Sequence, residues 1–243
     1  MRAERIGATT VILTRKSSNL YYNRWIAAGC AAPASEAQLE RAIAYAREHR
    51  VASLGVSTGP GTRPAELGRW LEARGFRRVH PGAKLWRGAE PLPRPEHPST
   101  VTVRKVRGRE VGTWIDVVSR VWRTYDSRRA WYEARAKTPG WTHYLAWIDG
   151  EPVGAGALFL GEVGETKAAH LVDGVTLPAW RRRGVQAAII RRRVGDARRA
   201  GCSVLTSETA PPLPRMPLVS FRNLCRQGFR FGYLRESWRL DFA

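Results

Sequence analysis

Cysteine is scarce. Cys30, Cys202 and Cys225 stand far apart, with no Cys-x-x-Cys pair and no histidine cluster beside them. That spacing argues against a disulfide framework and against a zinc site; no metal is expected. Long apolar runs are missing too: none approaches the ~20 residues that span a bilayer, and the first residues lack the apolar core of a secretion signal. The expected setting is a reducing cytoplasm without a membrane partner. Lysine is almost absent, since 36 of the 41 basic residues are arginine. Acidic residues number only 21, which leaves a net charge of +20. The arginines are scattered over both halves rather than gathered in one tail or patch. They read as a composition bias, and a nucleic-acid partner is not expected. The charge still repels polycations and attracts small anions.

What is present is enough for a folded core. The chain has 243 residues, 43% of them hydrophobic, and ten tryptophans, so one large domain or two small ones are possible. Pro91, Pro93, Pro95 and Pro98 lie among mostly polar neighbours and mark a linker by composition. Two domains are expected on either side of it, over residues 1–92 and 100–243.

The two halves look like distant copies. Leu54-Gly-Val-Ser-Thr-Gly-Pro-Gly precedes an expected helix over Pro64–Arg74, then Gly75-Phe76-Arg77 and a strand ending near Trp86. Leu205-Thr-Ser-Glu-Thr-Ala-Pro-Pro and a loop to Pro217 precede a helix over Val219–Gln227. Gly228-Phe229-Arg230 and a strand running to Phe242 follow. Upstream of the first copy, Glu36–Arg47 carries Leu39, Ala42, Ile43 and Ala46 at helical spacing, with Ser35 and Gln38 as a capping box. Upstream of the second, Val185, Ala188 and Ile189 begin an amphipathic helix that stops at Gly201. Val101–Arg104 alternates like a short strand, and Trp114, Val117, Val118, Val121 and Trp122 form a helical apolar stripe expected in the core. Asp149-Gly150 joins two apolar runs as a hairpin.

The stretch with chemical content is His170–Ile190. A β-prone run stops at Pro178, the turn Arg181-Arg-Arg-Gly184-Val-Gln186 follows, and a helix begins. The first turn of a helix has unpaired N–H groups and the positive end of the macrodipole, so it receives an anion readily. Gly184 allows close approach of the backbone.

This turn resembles the pyrophosphate-binding signature R/Q-x-x-G-x-G/A of the GNAT superfamily of acyl-CoA-dependent N-acetyltransferases. Arg181 and Gly184 match, and Gln186 departs at the last position. The order of elements over residues 100–243 is also that of the family. The resemblance implies an α/β fold of the α+β type, with a central mixed, mostly antiparallel sheet flanked by helices, here as two tandem GNAT-like halves. The first half has Pro33-Ala-Ser35 in place of the arginine turn, so it reads as a degenerate copy that has lost CoA binding.

The resemblance further implies an acyltransferase that uses acetyl-CoA or another acyl-CoA, with a primary amine of a small molecule or amino-acid-like acceptor attacking directly in a ternary complex. Pyrophosphate would meet the backbone of Arg182, Arg183, Gly184, Val185, Gln186 and Ala187, with Arg181 and Arg183 as charge partners. Pantetheine would pair with Val175, Thr176 and Leu177, and Ser220 and Asn223 would face it from the following helix. His170 stands where several members carry a glutamate base, and Asp173 and Glu208 are the other candidates. On a regular strand, residues 170 and 173 face opposite sides. The tyrosine that many members place four residues before the Gly-Phe pair is Leu224 here, which puts the acid in doubt. A non-catalytic CoA-responsive or nucleic-acid-binding protein is the alternative. A monomer or homodimer is expected.

Overall fold

The computed structural model describes residues 2–14, 21–94, 100–123, 128–212 and 218–242. In chain order the elements are β1 (Arg2–Ile6), β2 (Thr9–Leu13), β3 (Arg24–Ile26), α1 (Glu36–Glu48), β4 (Ser53–Thr58), α2 (Leu67–Ala73) and β5 (Arg77–Gly88). Then come β6 (Thr102–Lys105), α3 (Glu110–Trp122), α4 (Arg129–Ala136), β7 (Trp141–Ile148), β8 (Glu151–Val163) and β9 (Thr166–Thr176). The chain continues with α5 (Val185–Arg199), β10 (Val204–Thr209), α6 (Val219–Arg226) and β11 (Arg230–Asp241). Two compact units result. One comprises residues up to Gly82 together with Tyr233 onward, and the other comprises Ala83–Gly232.

In the first unit, β1, β2 and β3 are antiparallel neighbours. β3 then runs parallel to β4, and β4 is antiparallel to β11. A parallel pair needs a crossover, and α1 supplies it. Serine and glutamine bracket the start of α1 as expected: Ser35 Oγ accepts from Gln38 N–H, and the Gln38 side chain accepts from Ser35 N–H. Leu39, Ala42, Ile43 and Ala46 bury the inner face of α1 against Trp25, Leu54, Val56 and Trp238. The two buried indoles are satisfied, Trp25 by Thr9 Oγ1 at 2.7 Å and Trp238 by Thr58 Oγ1 at 2.9 Å. The expected helix over Pro64–Arg74 forms only over Leu67–Ala73.

In the second unit, residues 83–88 of β5 pair antiparallel with β10, and β10 runs parallel to β9 with α5 as the crossover. β9, β8, β7 and β6 complete an antiparallel series. Side chains alternate across this mixed sheet. One face, with Ala169, Leu171 and Leu205, packs on Ile190, Val194 and Leu224 of α5 and α6. The opposite face, with Leu145, Ala155 and Val175, packs on Trp114, Val117, Val118 and Tyr132 of α3 and α4. Trp122, expected in that core, is 52% exposed. Helix α3 ends at it, and Arg123 turns the chain into the left-handed region at φ 51°.

The chain passes between units inside strands. Arg77–Gly82 of β5 lies in the first unit and Ala83–Gly88 in the second; β11 returns the chain at Tyr233. The proline-bearing stretch after residue 90 therefore follows the crossing, and its Pro95 and Pro98 lie outside the described residues. Residues 213–217 of the later proline loop lie outside them as well. No helix among the described residues is long and apolar enough to cross a membrane.

Candidate active site

β9 and β10 hold together only part of the way. Their parallel pairing runs from Val204 opposite Ala168 to Ser207 opposite Leu171 and goes no further, although β9 continues to Thr176 and β10 to Thr209. Between those ends β9 bulges. Ala155 pairs with Val175 and Ala157 with Val172, so Gly156 faces two residues, Asp173 and Gly174. Asp173 sits at φ 51°, in the left-handed region.

The bulge is fixed from both faces. From α5, Arg193 is buried and donates to the carbonyls of Ala157 at 3.1 Å, Val172 at 2.9 Å and Ile189 at 3.2 Å. Burial lowers its pKa to about 10, which leaves it charged at neutral pH. A Cβ on Gly156 would come 3.2 Å from the Arg193 guanidinium carbon, so glycine makes room for it. From α4, Arg135 is ion-paired with the Asp173 carboxylate. Arg135 is 7% exposed. Its guanidinium stands over the rings of Trp114 at 5.3 Å, Trp131 at 4.6 Å, Tyr132 at 5.1 Å and Trp141 at 4.5 Å. Four ring faces and one carboxylate thus stabilise a buried cation.

The bulge changes the strand's parity. Val172 and Val175 pack in the same cluster under α3, and Asp173 reaches α4 on that side. His170 is two residues from Val172 and shares its face. The expectation that His170 and Asp173 face opposite sides of a regular strand therefore fails, because the strand is not regular there.

His170 Nδ1 is 2.8 Å from Thr206 Oγ1. The Thr206 hydroxyl donates to Ala169 C=O at 3.3 Å, which leaves its oxygen to accept from Nδ1–H. This assigns the neutral tautomer with a lone pair on Nε2. Burial lowers the His170 pKa to about 4, and the Lys84 charge pushes the same way against Glu208. Glu208 pairs with Lys84 Nζ at 2.7 Å. His170, Thr206, Glu208, Lys84 and Trp86 share one face by register. Asp173, the remaining candidate base, is committed to Arg135.

After β9, a 3-10 turn at Pro178–Trp180 leads to Arg181, Arg182 in the left-handed region at φ 65°, and Gly184 at φ 74°. Helix α5 then starts with no side-chain cap and no acidic residue in its first turn. Ala188 N–H donates to Gly184 C=O at 3.0 Å. The N–H groups of Val185, Gln186 and Ala187 precede it and have no acceptor within the helix. A Cβ on Gly184 would meet nothing within 4 Å. Arg181, Arg182 and Arg183 are exposed, with Arg183 over the Trp180 ring at 4.9 Å. Uncapped donors, open space and three guanidinium groups fit a pyrophosphate.

The residues expected beside pantetheine are placed more unevenly. The open edge of β9 includes Val175 and Thr176, and Thr176 Oγ1 is buried without a partner among the described residues. Leu177 N–H is already taken by Val153 C=O at 2.9 Å. Ser220 and Asn223 do share a face of α6, and both are bound to Gln186. The Gln186 amide donates to Ser220 Oγ at 3.0 Å, and Asn223 donates to Gln186 Oε1 at 2.6 Å. The departing residue of the signature thus ties α5 to α6. Arg193 and Arg135 escaped the sequence reading. A signal existed for Arg193, which stands at the 3.6-residue period with Val185, Ile189 and Ala197 at a position that should be apolar.

The acetyltransferase (GNAT) family model matches residues 109–221. No curated protein matches the chain. Among solved structures, the chain resembles a GCN5-related N-acetyltransferase from Kribbella flavida, at 19% identity and a TM-score of 0.68, over 100% of this chain and 90% of that one. A tandem GNAT protein from the clavulanic acid biosynthesis pathway is similar at 16% identity and a TM-score of 0.62, over 84% and 69%. A GCN5-related N-acetyltransferase from Sphaerobacter thermophilus gives 18% and 0.61, over 84% and 66%. At these identities the structures speak for the fold, and the family model speaks for the chemistry.

Proposed function

We propose that this chain, which belongs to the GNAT superfamily of acetyltransferases, transfers the acyl group of acetyl-CoA or another acyl-CoA to the primary amine of a small or amino-acid-like acceptor, by direct attack in a ternary complex. The observation that carries this reading is the uncapped, open start of α5 beside the point where β9 and β10 part. Backbone N–H groups of residues 182–187 would hold the pyrophosphate, with Arg181 and Arg183 adding charge. The open edge at Val175 and Thr176 would take pantetheine as an added strand. When bound, acyl-CoA supplies an activated thioester carbonyl.

The chain's own contribution is position and proton handling. Arg193 and the Arg135–Asp173 pair hold the β9 bulge, and so fix the edge against which the donor lies. His170 keeps Nε2 unprotonated down to about pH 4, so it can receive the proton shed by the amine. Its low pKa makes it a weak base, suited to passing the proton on to water or to Glu208 rather than keeping it. The departing thiolate is a good leaving group, and water can protonate it without a tyrosine at Leu224. In the first unit, the α1 start is closed by its own capping box; this supports reading that unit as a GNAT-like copy without a CoA turn.

Calorimetric titration with acetyl-CoA tests the reading. Wild type should bind saturably, and Gly184→Glu should not, because a carboxylate would fill and repel the pyrophosphate position. Equal affinity in both chains would remove the site assignment. Once an amine library screened by thiol release has yielded an acceptor, His170→Gln should lower kcat by about a hundredfold or more with acetyl-CoA affinity unchanged. Unchanged kcat would exclude His170 as the base.

A further inference from the structure

On one face of the second unit's sheet, aromatic and charged residues stand in two adjacent rows. Register sets the first. Trp86 stands opposite Thr206, Thr206 opposite His170, and His170 opposite Phe159. Lys84 stands opposite Glu208 in the next row. Residues two apart on a strand share a face, so these side chains project together. The alternate residues Ala83, Leu85, Leu171 and Leu205 fill the core beneath α5 and α6. The face is open: Trp86 is 41% and Phe159 36% exposed, and His170, Thr206, Glu208 and Lys84 are half-buried.

Lys84 and Glu208 supply the charge. Lys84 Nζ lies 2.7 Å from Glu208 Oε2, with the side chains 26% and 16% exposed. Withdrawing two charges from water is unfavourable, and a cross-strand ion pair returns little stability. A pair of this shape fits a zwitterion. An ammonium has donors enough for two carboxylates, and a carboxylate has about four acceptor positions, so each member can keep its present bonds and take a second partner. An α-amino acid carries its own ammonium and carboxylate as near neighbours. Laid antiparallel on the pair, it sets each charge against its opposite and brings no net charge. An amine without a carboxylate adds a cation beside Lys84 with nothing to offset it. The two rings flank the polar row. The Arg230 guanidinium stands over Trp86 at 5.0 Å. A Cβ on Gly161 would come 3.0 Å from the Phe159 ring, so glycine leaves that ring room. Rings on either side favour an apolar substituent over a charged one.

We propose that Lys84 and Glu208 select the acceptor: it is an α-amino acid with an apolar side chain, its carboxylate on Lys84 and its ammonium on Glu208, beside His170. This rests on the acyltransferase reading above and deepens it. Lys84 lies outside residues 109–221, so the family match does not supply this selection.

The test measures thiol release from acetyl-CoA with two matched acceptor pairs, L-phenylalanine with phenethylamine and L-leucine with 3-methylbutylamine. Each amine is the amino acid without its carboxylate. The amino acids should give the higher kcat/KM, and Lys84→Met should reduce that preference about tenfold or more, the scale of a charge-assisted hydrogen bond. A merely structural pair would lower both members alike and leave the ratio as in wild type. An unchanged ratio in Lys84→Met overturns the proposal. So does a wild type that uses the amines as well as the amino acids, or that turns over none of the four while acetyl-CoA still binds. Calorimetry on the same preparations keeps the two readings apart, because a wild type that does not bind acetyl-CoA removes the acyltransferase reading itself, and this inference with it. Should Lys84→Met fail to fold, Lys84→Gln decides, since its amide still donates a hydrogen bond to Glu208.

Discussion

At the scale of single residues, the second unit depends on two buried arginines that serve the same strand from opposite sides. Arg135 is tolerable in its place because Asp173 and four aromatic rings surround it. Asp173→Asn should therefore destabilise the fold by about 3 kcal/mol, the usual effect of leaving a buried charge without its partner, measurable by urea unfolding. A loss within experimental error would show that the rings alone suffice. Arg193 left a trace in the chain, at a position on the buried period of α5; Arg135 left none. Gly184 and Arg181 were legible because a turn and a helix start are local, and their residues are neighbours in sequence. Arg135 meets Asp173 across 38 residues, and nothing in either segment announces the other. The bulge was hidden for a similar reason. Arg193, which donates to the Val172 and Ala157 carbonyls beside the bulge, comes from α5 and is remote in sequence, so parity counted along His170–Asp173 gave the wrong face.

At the scale of elements, the two crossover helices begin in opposite ways. Helix α1 starts with a reciprocal serine–glutamine cap, which satisfies its own first donors. Helix α5 starts at a left-handed glycine with no cap. The first arrangement stabilises a helix and the second leaves it ready for a ligand. Ser35→Ala should cost about 1 kcal/mol of stability and leave acetyl-CoA binding as in wild type. A change in that affinity would mean that the α1 start takes part in binding after all. Both starts were visible in sequence, since Ser35-x-x-Gln38 and Arg181-x-x-Gly184 are short patterns. The tie from Gln186 to Ser220 and Asn223 was not. The sequence showed an intruder at the last signature position, and only the packing of α5 on α6 shows its partners.

At the scale of the whole molecule, two neutral histidines, His143 buried and His170 half-buried, set an acid limit. His143 sits between Trp114 and Trp141, and its Nε2 has no partner among the described residues. Burial, with the Arg135 charge assisting, pushes its pKa down to about 4, the same value that burial gives His170. In the unfolded chain both would titrate near 6.5. Between those values the unfolded state binds more protons, so stability is full above about pH 6.5 and falls as the pH drops toward 4. Asp196, whose pKa is lowered from 3.8, acts only below that window. Melting temperature should decline from pH 6.5 to 4, and less so in His143→Gln. An identical slope in that variant would assign the effect elsewhere.

Domain boundaries were the least legible feature, because proline content marks where a chain bends and says nothing about which strands pair. Residues 236–241 of β11 pair with Ser53–Thr58 of β4, so the first unit takes its final strand from the far end of the sequence. During synthesis, β4 leaves the ribosome long before its partner. For most of that time it presents an open edge of the kind that recruits stray strands. The first unit, although made first, is thus the last to be completed, and its folding is timed by the arrival of β11 rather than by its own translation.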